Sequence, residues 1–93
     1  MSYDALIFRF HALQRMFERN ISETDIRDVL ENGEEIEKYL DDPPCPGRLV
    51  LGWCGGRPVH VVASDDPQDR VTVVITVYEP DPARWDESFK HRR

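Results

Sequence analysis

Two apolar periods follow one another along this chain, and the change between them divides it into a helical front and a sheet-forming remainder. "ALIF", residues 5–8, is a short apolar run that reads as an opening strand, although Ser2 could instead cap a helix continuing into the next segment. From Phe10 the spacing is helical. Phe10, Leu13 and Phe17, with Ala12 and Met16, form one stripe, while His11, Gln14, Arg15 and Glu18 lie opposite. Asn20 tolerates the left-handed conformation that stops a helix. Ser22 then caps a second helix. Asp25 three residues on makes a capping box, Ile21 can staple onto Ile26, Ile26, Val29 and Leu30 form the buried stripe, and Gly33 ends it.

Beyond Gly33 the period shortens to that of strands. "EEIEKYL" is acidic and reads as an edge strand, where charge discourages pairing with other chains. "DDPPCPG" breaks the chain, because three prolines in seven residues cannot sit in a ladder. "RLVLGWC" and "RPVHVVAS" flank Gly55-Gly56, a two-residue hairpin signal that sets Trp53 opposite Pro58, Leu51 opposite His60 and Leu49 opposite Val62. A wider loop leads into "VTVVITVY", which Pro80 ends. Asp81 and Pro82 start a short C-terminal helix carrying Trp85 and Phe89. The expected fold is a single α+β domain over residues 1–93, β-α-α-β-β-β, with two helices on one face of a twisted antiparallel sheet.

Composition agrees with one ordinary folded domain, at 40% hydrophobic and 32% charged residues. The first residues are too polar for a signal peptide and no apolar run is long enough to span a bilayer, so a cytoplasmic protein without membrane contact is expected. In that compartment Cys45 and Cys54 are expected as thiols. The net charge of −6 argues against broad binding to nucleic acid, which needs cations to neutralise phosphate. That charge is unevenly spread. Residues 9–20 carry three arginines against Glu18, residues 31–42 carry six acids against Lys38, and "KHRR" at the end adds Lys90, Arg92 and Arg93.

Candidate chemistry falls on histidines and their neighbours. If the loop after the second hairpin strand is 65–69, His60 pairs with Val74, and Thr76 and Tyr78 share its sheet face; a loop one residue longer swaps the faces. His60 is then either a structural histidine bonded to backbone or to Tyr78, or a proton carrier suited to neutral pH. Of His11, Arg15 and Arg19, four residues apart, the first two are either a solvated helix face or an anion site in which Arg15 is a bidentate fork, and Arg19 reads as a surface partner of Glu18 or Glu23. No metal spacing, phosphate loop or acyl-transfer motif is present, so no cofactor is expected.

The succession "HALQRMFERNIS", "DIRDVLENGEEIEKY", "RLVLGW", "GRPVHVV" and "VVITVYEPDPARW" resembles, over residues 8 to 86, a family of small bacterial domains of unknown function grouped with the RelE/ParE-like toxin superfamily. The resemblance implies two helices on one face of a twisted antiparallel sheet. It also implies either messenger RNA cleavage on the ribosome or inhibition of gyrase, silenced by a protein antitoxin. Its marks fall on His11, Arg15, Arg19, His60, Thr76 and Tyr78. As a ribonuclease, the chain would use His60, with His11 and Tyr78, as catalytic groups, and Arg15, Arg19 and Thr76 to hold substrate. Two lysines and a pI near 4.9 depart from the basic nucleases of that superfamily. The alternative is a non-catalytic module whose acidic edge favours a basic protein partner. A third reading is a homodimer joined through Trp53, Trp85 or Phe89.

Overall fold

Gly33 is where the chain passes from helix to sheet. The computed structural model describes residues 5–39 and 46–93. Its elements run β1 (Ala5–Phe8), α1 (Phe10–Arg19), α2 (Glu23–Asn32), β2 (Glu34–Tyr39), β3 (Gly47–Cys54), β4 (Arg57–Asp66) and β5 (Val71–Tyr78). Four strands follow the helices, one more than the order β-α-α-β-β-β counts: the acidic segment is an edge strand, as expected, and pairs with β3 on both sides of a bulge at Ile36. The proline-rich break and Cys45 fall largely in residues 40–45, outside the described residues.

The sheet is mixed rather than antiparallel, in the order β1-β5-β4-β3-β2. The two helices carry the chain from β1 to the far edge. Three antiparallel steps back, from β2 to β5, bring β5 alongside β1 running the same way. Local chemistry sets the joints. Ser22 Oγ accepts from the Asp25 N–H and an Asp25 carboxylate oxygen accepts from the Ser22 N–H, each at 3.0 Å. Asn20 stands at φ 54° and closes α1. The Arg57 guanidinium donates to the carbonyls of Arg19 (2.8 Å) and Asn20 (3.1 Å), satisfying the end of α1 from the sheet. Gly55 and Gly56, at φ 59° and 83°, make the tight β3–β4 turn.

Ala12, Met16, Ile21, Ile26 and Val29 pack on Val50, Cys54, Val59, Val61, Ala63, Val74 and Val77, which form one face of the sheet. The buried stripe of α1 is narrower than its spacing suggests. Phe10, Leu13 and Phe17 are exposed, because α1 lies on β5 with only the four-residue β1 beyond it, too little sheet to cover a wide apolar arc. α2 sits closer. A Cβ on Gly52 would come within 2.5 Å of Val29 Cγ2 and 3.0 Å of Val29 Cβ. Gly52→Ala should therefore lift α2 and cost about 1–3 kcal/mol, read as a lower urea midpoint at unchanged slope. A midpoint equal to that of the wild type would show that the helix yields freely.

On the other sheet face residues 81–93, hereafter the strap, lie over His60 and reach Trp53 and the β2 edge. The helix expected there does not form. Asp81 does start a turn, its Oδ1 accepting from Ala83 N–H and its carbonyl from Arg84 and Trp85 N–H. One turn is all it makes. The Asp86 carboxylate takes the Ser88 N–H and hydroxyl, and Phe89 stands at φ 60°, which turns the chain back so that Trp85 bridges to Arg92.

Candidate functional site

His60 is placed by strand alternation. Val59 and Val61 belong to the helix-side core, so His60 points to the opposite face, under the strap, with no exposed surface. Leu51 is its partner on β3, as the hairpin requires. On β5 its partner is Tyr78 rather than Val74, because β4 runs on to Asp66 and the loop begins later. A bulge between Val62 and Ala63 absorbs one residue, so Val74 and Val77 both reach the helix side despite their spacing of three. His60, Thr76 and Tyr78 consequently share one face, Thr76 lying half-buried opposite Val62.

Both ring nitrogens of His60 are engaged. Nε2 lies 2.8 Å from the Phe89 carbonyl, which only accepts, so Nε2 carries the proton. Nδ1 lies 3.2 Å from the Tyr78 hydroxyl and accepts from it. Trp85 packs edge-on against the ring at 4.5 Å, and Tyr78 at 5.2 Å. Burial holds the imidazole below its ordinary pKa and Arg92 adds to this, while the Phe89 carbonyl and Glu37 pull the other way. Burial likewise raises the Tyr78 hydroxyl. This is a neutral histidine bonded on both sides inside the fold, the arrangement of a structural side chain.

The strap is fastened around it by charge. Arg92 Cζ stands 4.5 Å over the Trp85 ring and its NH2 lies 3.0 Å from Glu37 Oε1; Lys90 Nζ lies 2.9 Å from Glu34. Burial raises the Glu37 carboxyl, but hydrogen bonds from Arg92 and Tyr39 outweigh it and hold the group below its usual value. Burial, and then the hydrogen bond to Glu37, push Tyr39 up to about 12. Sequence reasoning singled out neither Glu37 nor Arg92. The signal was present in the acidic block 31–42 and the basic "KHRR", two opposite charge runs able to pair within one chain.

His11, Arg15 and Arg19 are elsewhere. All three are exposed on α1, which packs on the helix side of the sheet, whereas the His60 side chain lies on the opposite face. A ribonuclease built on these residues would need His11, Arg15 and His60 to meet in one cleft, and they do not. Arg15 bonds Glu18 at 3.3 Å, both side chains being about half exposed, a pair of small energetic weight. The strand cations are also engaged: Arg48 holds Asp65 through two hydrogen bonds, at 2.8 and 3.3 Å, and Arg57 holds Glu79 at 3.1 Å. Of the aromatic residues considered for a homodimer, Trp85 is only 3% exposed and cannot reach a second copy, whereas Trp53 is 54% exposed.

The Cys54 thiol is buried and unpaired, and burial, followed by the charge of Asp25, pushes its pKa up, which suits packing and not nucleophilic chemistry. Among the described residues, no three His, Cys, Asp or Glu side chains stand together as a metal site would require. No described helix is long and apolar enough to cross a membrane. No curated protein and no solved structure matches the chain. One family model matches residues 8–79, and by that match the chain belongs to the family described as domain of unknown function DUF4258.

Proposed function

We propose that this chain is a partner-binding module of the RelE/ParE-like toxin–antitoxin superfamily, which docks a protein segment on α1 and does not cut RNA. The observation that carries this reading is the outward apolar stripe of α1, where Phe10 is 79% exposed, Leu13 48% and Phe17 89%. Spaced by three and four residues, these side chains run along one side of the helix. Contiguous large apolar groups left in water mark interaction surfaces. An amphipathic helix is the occupant whose own spacing matches such a stripe. Charge sets its sign at longer range: Arg15 lies across the helix from the stripe, but Arg9 adjoins Phe10, and the excess of three arginines over Glu18 in residues 9–20 favours an acidic helix even though the chain carries −6 overall. Among the described residues, the carboxylates of the acidic edge expected to draw a basic partner are already answered within the chain, by Lys90 on Glu34, Lys38 on Glu35 and Arg92 on Glu37. The two helices on one sheet face agree with what the superfamily resemblance implies, and an antitoxin is a partner of this chemistry.

Two synthetic helical peptides with the same leucine spacing, one rich in glutamate and one in lysine, test this reading by backbone amide shifts. The glutamate peptide should bind with shifts centred on residues 10–19, and more weakly as salt is added. Replacing Phe10 and Phe17 together by serine should lower its affinity about tenfold or more. Equal binding of the lysine peptide, or shifts centred on β2, would contradict the reading. RNA cleavage by the wild type that is lost in His60→Gln would replace it with a nuclease. Self-association abolished by the same serine substitutions would make the occupant a second copy.

A further inference from the structure

We propose that the cleft between the C-terminal end of α2, the β2–β3 pair and the strap is a binding site for a guanidinium group. The cleft encloses about 570 Å³ and is lined by Asp28, Asn32, Glu34, Trp53, Ser88 and Lys90, with Gly33 and Gly52 in its floor. That volume is ordinary for a small-ligand site. Nothing in the α1 surface described above contributes to it.

Three features select a planar cation. The first is Trp53, more than half exposed at the end of β3, its ring steadied by an edge contact with Phe89 at 6.0 Å. The face of an indole attracts cations, and guanidinium best of all because it also stacks. The second is the end of α2. This helix has no basic residue in its last turn, so the negative pole of its dipole faces the cleft with no cation of its own helix against it. The third is the carboxylate pair. Asn32 Nδ2 donates to Asp28 Oδ1 at 2.8 Å and fixes that carboxylate at the cleft wall, a fitting acceptor for a forked donor. Glu34 already holds a cation, the Lys90 ammonium of the strap at 2.9 Å. Two carboxylates against one ammonium leave this lining with a net charge of −1, one positive charge short of neutral. A second, flat cation between Trp53 and Asp28 completes it.

A guanidinium can come from a free small molecule or from an arginine side chain in a peptide, and one titration separates the two. The probes are argininamide, the neutral urea isostere citrullinamide, and an amidated Gly-Arg-Gly peptide, at physiological ionic strength. The readout is the Trp53 indole N–H together with the backbone amides of Asn32, Gly33 and Glu34; the buried Trp85 indole is the internal control. Argininamide should shift these signals saturably, and citrullinamide should not. Asp28→Asn should weaken argininamide about tenfold, the loss expected for one charge-assisted hydrogen-bond partner. Trp53→Ala, at an exposed position, should weaken it about fivefold. Equal affinity for the peptide and argininamide assigns the site to a free small cation, and tighter binding of the peptide assigns it to a protein arginine. Equal shifts with citrullinamide, shifts scattered over the acidic surface without saturation, or unchanged affinity in Asp28→Asn would overturn the proposal.

Discussion

Trp85→Ala should destabilise the fold by about 3–5 kcal/mol, the usual cost of emptying a buried indole site. Trp85 is 3% exposed and is the side chain of the strap that reaches deepest, with its ring against His60 on one side and the Arg92 guanidinium on the other. The remaining fastenings are weak by comparison. Lys90–Glu34 and Arg92–Glu37 are largely solvent-facing ion pairs, each worth roughly 0–1 kcal/mol, and Arg92 also loses its aromatic platform when Trp85 is removed. Leu51, 3% exposed and paired with His60 on this face, would then meet water as the strap lifts. Urea unfolding measures the loss. Hydrogen exchange locates it, because the Asp86 and Arg93 amides, bonded to the His91 and Arg84 carbonyls, should lose protection while the α2 amides keep theirs. A variant with the wild-type midpoint and a protected strap would show that the ion pairs alone hold it.

The strap lies beyond residues 8–79, the part of the chain that the family model matches. The matched part supplies His60, Thr76, Tyr78 and the strand leucines of one sheet face, and residues 81–93 supply the cover over His60. A two-sided sheet needs apolar material on both faces. Here the helices cover one face and the strap covers the other around His60, which is why a histidine near the middle of β4 ends up as a bonded core group and not as an open acid or base.

How far this was legible in the sequence depends on the range over which each feature is decided. The helix boundaries, the Ser22–Asp25 box and the Gly55-Gly56 hairpin rest on neighbouring residues, and these were readable from spacing alone. The direction of β1 was not, because parallel pairing with β5 is settled by how many strands intervene. The bulge at Val62 was hidden for a similar reason: only the demand that Val74 and Val77 both face the helices calls for it. Period also overstated the core of α1. A stripe of five apolar residues marks a helix, but how much of it is covered depends on the width of sheet beneath, and four residues of β1 leave Phe10, Leu13 and Phe17 outside. In the strap, proline after Asp81 signalled a helix, and the Asp86–Ser88 hydrogen bonds competed successfully against it.

Acid should loosen the fold through His60. Its folded pKa lies below the ordinary imidazole value near ~6.5, chiefly because burial penalises the charged ring. The unfolded chain therefore takes the proton first. The stabilising contribution is fully present above about pH 6.5 and is lost as pH falls toward the depressed folded value, with a slope approaching about 1.4 kcal/mol per pH unit for one proton. Glu37, also depressed, has a different window: its contribution is present above its unfolded value of 4.5 and is lost as pH falls below it, so the two acid limbs separate. Urea unfolding between about pH 7.5 and 5 should show the histidine limb in the wild type and a flat line in His60→Gln, which keeps a side-chain N–H for the Phe89 carbonyl but does not titrate there. Trp85→Ala should flatten the same limb for a different reason, since opening the strap returns His60 to water and removes the desolvation that depressed it. If His60→Gln falls in parallel with the wild type, some other group carries the acid limb. If Trp85→Ala keeps the full limb, the ring is sealed by the strands and not by the strap.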